Sequence, residues 1–163
     1  MLMALAIVAA LILLMVKAAP LEKKQKYKGV FHKSIAALVV IVLVQITFGT
    51  QVREFVDQQL EAGVAKSHWL LYPTWIFYLH RSFSILPLFL TLYAFWINKK
   101  EGLGFAKIRW ILGLMLVAVF SGMAMYYIDF PWGTQPLHLV IASLLFGCLF
   151  YVFLESRNTV KNT

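Results

Sequence analysis

His80 and His138 each stand inside a long apolar run of this 163-residue chain. Polar side chains at such positions are costly and ordinarily serve a purpose. A neutral imidazole is an iron ligand. Two of them at one depth, on two helices, can hold a porphyrin iron from opposite faces between apolar walls. His80 lies five residues into the run Trp75–Ile97, roughly 8 Å from its start at 1.5 Å per residue. His138 opens the run Leu137–Leu154, which points the same way. Arg81 follows His80 directly, and Arg53 closes an earlier run at that level. Guanidinium groups match carboxylates in fork geometry, so heme propionates directed to that side would meet Arg81 and Arg53. Leu79, Phe83, Leu86, Leu137 and Ile141 are the expected lining of the slot. The alternative is a pair of interfacial histidines hydrogen-bonded to backbone or water. His32 belongs to the opposite end and His68 to a loop, so neither is expected as a ligand. Gln45, near mid-span, reads as a helix–helix hydrogen bond.

The elements that must position these residues are transmembrane helices. The chain is 61% hydrophobic and 13% charged, with a mean hydropathy of +0.78. Soluble domains run about 45–50% apolar and about 25% charged. A disordered tail, a disulfide scaffold and an ordinary cytosolic enzyme are excluded, and the single Cys148 builds neither a disulfide nor a Cys-rich metal site. Five apolar stretches stand out: Met1–Val16, Ile35–Thr50, Trp75–Ile97, Ile111–Tyr127 and Leu137–Leu154. About 17–25 residues span a hydrocarbon core as a helix, and open strands would leave backbone groups unpaired in lipid. The fold class is therefore all-α, a polytopic transmembrane helical bundle of four helices with one additional N-terminal span. Met1–Val16 reads as that span rather than a signal peptide, because its basic residues follow the apolar run. Pro87 predicts a kink in the third span.

The net charge of +8 does not form a stripe that would suit nucleic acid, so none is expected as a partner; the partner is the lipid bilayer. Twelve of the 15 basic residues fall in segments on one side, among them Lys17 to Lys33, Lys99 to Arg109, Arg157 and Lys161. That side is cytoplasmic by the positive-inside rule, which places the N-terminus outside and the C-terminus in the cytoplasm. Trp69, Tyr72, Trp75, Tyr126, Tyr127 and Trp132 gather at the outer ends as an aromatic belt, and Trp96 and Trp110 mark the inner ends. Glu54–Ser67 reads equally as a short amphipathic helix on the membrane or as a solvated loop. Ala118/Gly122 and Ser143/Gly147 are small pairs that let helices approach closely. No internal repeat is evident. There is no phosphate-binding glycine loop and no H-E-x-x-H. Nor is there the chain of intramembrane carboxylates expected of a proton-coupled transporter.

Three segments carry a resemblance. Val44–Glu54 (VQITFGTQVRE), Leu79–Arg81 (LHR) and Pro136–Phe146 (PLHLVIASLLF) resemble, in order and spacing, helix ends and histidine motifs of the heme A synthase family. The resemblance runs from Phe31 to Leu154. It implies a bundle of the kind that family carries in duplicate, in eight-helix proteins of the bacterial plasma (inner) membrane. One bundle oxidises a methyl of heme o to the formyl of heme A, and the other holds a b-type heme and passes electrons. The catalytic bundle has a glutamate three residues before its first histidine; here that residue is Phe77, and the family's paired loop cysteines are missing. The chain therefore resembles the C-terminal half, with heme b as cofactor and His80 and His138 as axial ligands.

On this reading residues 1–30 are a span and basic loop left from a preceding bundle, 31–156 the heme-binding bundle, and 157–163 a cytoplasmic tail. The implied partners are that N-terminal bundle or a separate chain supplying it, and heme o synthase. A stand-alone bis-histidine membrane cytochrome and a cofactor-free assembly subunit are the alternatives.

Overall fold

The computed structural model describes residues 2–18 and 25–160, with side chains through Arg157; Met1, Lys23, Lys24 and Lys161 lie outside them. Apolar runs bounded by Lys, Gly and Pro become six α-helices: α1 (Leu2–Ala18), α2 (Gly29–Glu61), α3 (Trp75–Phe83), α4 (Ile85–Lys100), α5 (Ile108–Tyr127) and α6 (Thr134–Val160). Among the described residues four units are long and apolar enough to cross a membrane: α2, α3 with α4 as Trp75–Lys100, α5, and Thr134–Arg157 of α6. The shorter α1 is apolar as well. α2 packs against α4, α4 against α5, α5 against α6, and α6 closes the ring on α2. α1 lies outside that ring against α6, where Gly147 faces Val8 and Ile12.

The exposed side chains explain the medium. Leu11, Val40, Phe89, Phe120 and Leu144 all stand open on the outer faces of their helices. A helix that is apolar all round requires a non-aqueous surround, so the chain is a multi-pass membrane protein. The buried side of the ring is filled unevenly. Towards the basic end, Phe31, Ile35, Leu38, Ala94, Ile97, Ile108, Ile111, Leu149 and Val152 pack into one core. That end is closed by Lys28 on Glu101 (3.4 Å), by Lys107 on the buried Glu155 (3.7 Å), and by Gln25 donating to Glu155 at 2.9 Å. Gly102 (φ 58°) and Gly104 (φ 88°) supply the left-handed residues that turn α4 into α5.

Two expectations change at the opposite end. The second span does not stop at Arg53: α2 runs on to Glu61, 33 residues in all. At 1.5 Å per residue it is about 50 Å long, so it projects past a hydrocarbon core of about 30 Å. Glu54–Glu61 is thus the end of α2 rather than a separate surface helix or loop. Trp69 is not part of an aromatic belt either. It is buried, its indole Nε1 donates to the Val64 carbonyl (2.9 Å), and its ring meets Phe130 edge-on at 5.3 Å. Val56 joins them in a small cap. Trp75, Tyr72, Tyr127 and Trp132 stay exposed, as a belt requires.

The third span breaks where proline dictates. α3 and α4 meet at Ser84, and Pro87 in the first turn of α4 has no N–H for the Phe83 carbonyl.

Candidate functional site

Between the filled basic half and the Trp69 cap the ring is hollow. A cavity of ≈ 240 Å³ reaches from Val42, Met115 and Leu145 up to Arg53, Arg81 and Tyr127. It is roomy because the helices present Gly49, Ala118, Gly122 and Ala142 to it. His80, Arg81, Arg53 and His138, the four site residues expected from sequence, all line it.

The lining expected around them is wrong. Leu79, Phe83, Leu86, Leu137 and Ile141 do not border the cavity. Leu79, Leu86 and Leu137 are exposed, Ile141 is buried elsewhere, and Phe83 meets Phe48 edge-on at 6.2 Å. The reason is helical phase. The cavity takes the side of each helix that carries the residues one and four after the histidine and three before it, whereas those one before, or three or six after, lie about 60–120° round the other way. The true walls are Ser84 and Phe77 about His80, and Ala142 and Gln135 about His138, with much of the rest from α2 and α5.

Each imidazole is held in one tautomer. His80 Nδ1 is 3.2 Å from the Gln45 carbonyl oxygen; a carbonyl only accepts, so Nδ1–H donates. Gln45 Nε2 returns a bond to the His80 carbonyl at 2.6 Å, which is the helix–helix contact expected of it. Gln45 Oε1 is buried with no hydrogen-bond partner. His138 Nδ1 is 2.8 Å from Ser121 Oγ. Ser121 spends its proton on the Ala118 carbonyl (2.9 Å), so here too Nδ1–H donates. In both rings Nε2 is left with its lone pair and no hydrogen bond from the described residues. A carbonyl or hydroxyl on the far nitrogen is the arrangement that orients a metal-binding imidazole and raises its basicity.

Glycine makes room for both rings. A Cβ on Gly49 would lie 3.1 Å from His80 Cε1, and one on Gly122 would lie 3.6 Å from His138 Cε1. The two halves repeat one scheme. Gln45 and Ala118 each stand four residues before their glycine, and each receives a bond from its histidine network. The sequence carries that repeat faintly, as VQITFG against VAVFSG and LH against LH. Aligning the apolar runs on their histidines rather than on their hydropathy would have revealed it. Gly49 and Ser121 were the functional residues missed.

A family model described as cytochrome oxidase assembly protein (COX15-CtaA) matches residues 1–150. The chain belongs to that family. The match takes in α1 as well as most of the four-span ring. Membership assigns the chain to heme A biosynthesis for cytochrome oxidase assembly, and to a family of heme-handling oxidoreductases. The chain matches no curated protein and no solved structure.

The other two histidines stand apart from the cavity. His32 Nδ1 lies 2.9 Å from Ser156 Oγ at the basic end, and its ring stacks on Phe153. His68 is exposed in the short 3₁₀ turn Lys66–His68. Phe77 is buried and stacks on Tyr126 with ring centres 5.5 Å apart.

Replacing Ser121 by Ala should leave the fold intact and weaken heme retention about 10- to 100-fold, the usual effect of removing a partner of a ligating histidine. Ser143→Ala, whose hydroxyl only bonds the Leu139 carbonyl, should change nothing. Transfer of heme to apomyoglobin, timed by its Soret shift, measures both.

Proposed function

We propose that this bundle is the b-heme-carrying, C-terminal-type half of a heme A synthase-like membrane oxidoreductase, with His80 and His138 as axial ligands. The observation that carries the reading is the matched pair of imidazoles on one cavity, each with Nδ1 bonded, Nε2 free and a glycine beneath it. Among the described residues no three His, Cys, Asp or Glu side chains cluster as a metal site. Two imidazoles suffice for porphyrin iron, whose other four ligands are the ring's own nitrogens. Bound there, a b-type heme supplies one-electron exchange.

The rest is the work of the chain. Gln45 and Ser121 hold the rings in the ligating tautomer, and the small residues keep space between the helices. Arg53 and Arg81 put positive charge at the rim for propionates. Phe77 leaves the cavity without the carboxylate of the catalytic bundle. Oxidation of heme o then belongs to a second bundle, in a longer chain or a partner protein, which this half would serve with electrons. Heme o synthase is the natural neighbour for delivery of substrate. The basic end, with Lys28, Lys107 and Arg157, faces the cytoplasm of a bacterium, and the cavity lies in the outer leaflet of its plasma membrane.

Detergent-extracted protein should show a low-spin Soret band that sharpens, with a b-type α band, when dithionite is added. Purified protein with no Soret band before and after incubation with hemin would leave the cofactor-free assembly subunit as the better reading.

A further inference from the structure

The two arginines at the rim of the cavity are not equivalent. Arg53 already has a carboxylate: its Nε lies 3.4 Å from Asp57 one helical turn on. Arg81 has no carboxylate within ion-pair distance among the described residues. Its surroundings are two tyrosines of α5. Nη2 donates to the Tyr127 hydroxyl at 2.8 Å, and the guanidinium carbon lies 4.5 Å from the Tyr126 ring centre and 5.7 Å from that of Tyr127. Phe77 stacks behind Tyr126 and fixes its plane. Aromatic faces orient a guanidinium without neutralising it, so a held, uncompensated cation stands on the cavity wall.

Tyr127 completes the arrangement. Its oxygen accepts from Arg81, so its own proton is free to donate, and it too lines the cavity. We infer that Arg81 and Tyr127 form a two-donor site for one carboxylate of the molecule in the cavity, with Tyr127 both positioning Arg81 and supplying the second donor. The inference rests on the proposed porphyrin occupant, which carries two propionates. Because Arg53 is engaged by Asp57, the site on α3 and α5 is the stronger of the two anchors, and it discriminates porphyrin acids from porphyrin esters.

The test titrates the purified full chain in detergent with hemin and with hemin dimethyl ester, which lacks both carboxylate charges. Wild type should bind the acid about tenfold or more tightly than the ester, the usual strength of a charge-assisted contact. Tyr127→Phe keeps the ring under Arg81 and removes only the hydroxyl. It should shrink the acid-to-ester ratio about fivefold, a typical single hydrogen bond, while the ester binds as to wild type. Arg81→Gln should shrink the ratio further than Tyr127→Phe does, leaving only the part that Arg53 supplies. Equal binding of acid and ester by wild type, or a Tyr127→Phe ratio equal to that of wild type, overturns the carboxylate site alone. If neither porphyrin gives a low-spin spectrum, the histidine reading falls and the carboxylate site with it.

Discussion

His80→Ala should abolish the low-spin b-type difference spectrum expected of the proposed site, while the protein still inserts in the membrane. The whole optical signal is at stake because, in the proposed site, each axial position would have a single donor. His80 and His138 are the two imidazoles on the cavity, and His32 and His68 lie at the basic end and in a surface turn. The helix tolerates the change, since Ala is the best helix former and the Gln45 side chain still bonds the residue-80 carbonyl. His138→Ala should have the same outcome. His32→Ala and His68→Ala should keep the full signal and serve as controls. Added imidazole, entering the space left by the ring, should restore a six-coordinate spectrum to His80→Ala. A dithionite-minus-oxidised spectrum of His80→Ala that matches wild type would remove His80 from the coordination and with it the proposed site.

Gly49→Leu is expected to eliminate heme binding nearly as completely, although residue 49 touches no ligand through any side chain of its own. The Cβ of any other residue would stand 3.1 Å from His80 Cε1, 3.6 Å from Nδ1 and 3.8 Å from Nε2. A leucine adds three carbons along that direction and displaces the ring from the Gln45 carbonyl. Gly49→Ala asks for only a few tenths of an ångström, so its retention loss should be about tenfold, within the range for misplaced ligand partners. At Gly122 the added Cβ meets His138 at an ordinary 3.6 Å, so Gly122→Ala should keep its heme. Helix propensity separates this from misfolding. Gly to Ala inside a helix is worth up to about 1 kcal/mol in favour of Ala. Both alanine variants should therefore melt no lower than wild type as apo-proteins, while one of them loses cofactor. Equal heme retention by Gly49→Leu and wild type would show that the ring has freedom the close contact denies it.

The two effects differ in how visible they were beforehand. His80 and His138 announce themselves, because an imidazole within an apolar span has few uses and chain direction puts both at one level. Gly49 does not, since a glycine in a span is commonplace and its meaning depends on which ring crosses above it. Ser121 does not either, since a serine within a span ordinarily bonds its own helix. Its distinction from Ser143 is that its hydroxyl bonds His138 while Ser143 bonds only its own helix. The lining by Leu79, Phe83, Leu86, Leu137 and Ile141 fails because the cavity lies to one side of each histidine, the side of Arg81 and Ser84 or of Leu139 and Ala142, and the sequence of one helix does not say which side its neighbours leave open.

Composition, apolar run length and the distribution of lysine and arginine by themselves determined the class, the four long spans and the break near Pro87. These follow from the solvent and from covalent geometry: a bilayer demands helices of a set length, and a proline removes a donor wherever it stands. Only the tertiary structure decided that α2 outruns the membrane, that Trp69 belongs to a cap, that Arg53 pairs with Asp57 while tyrosines hold Arg81 without neutralising it, and that both imidazoles turn Nε2 away from their hydrogen bonds. Those depend on the rotational phase of one helix against another, an energy summed over many small contacts that no single segment contains.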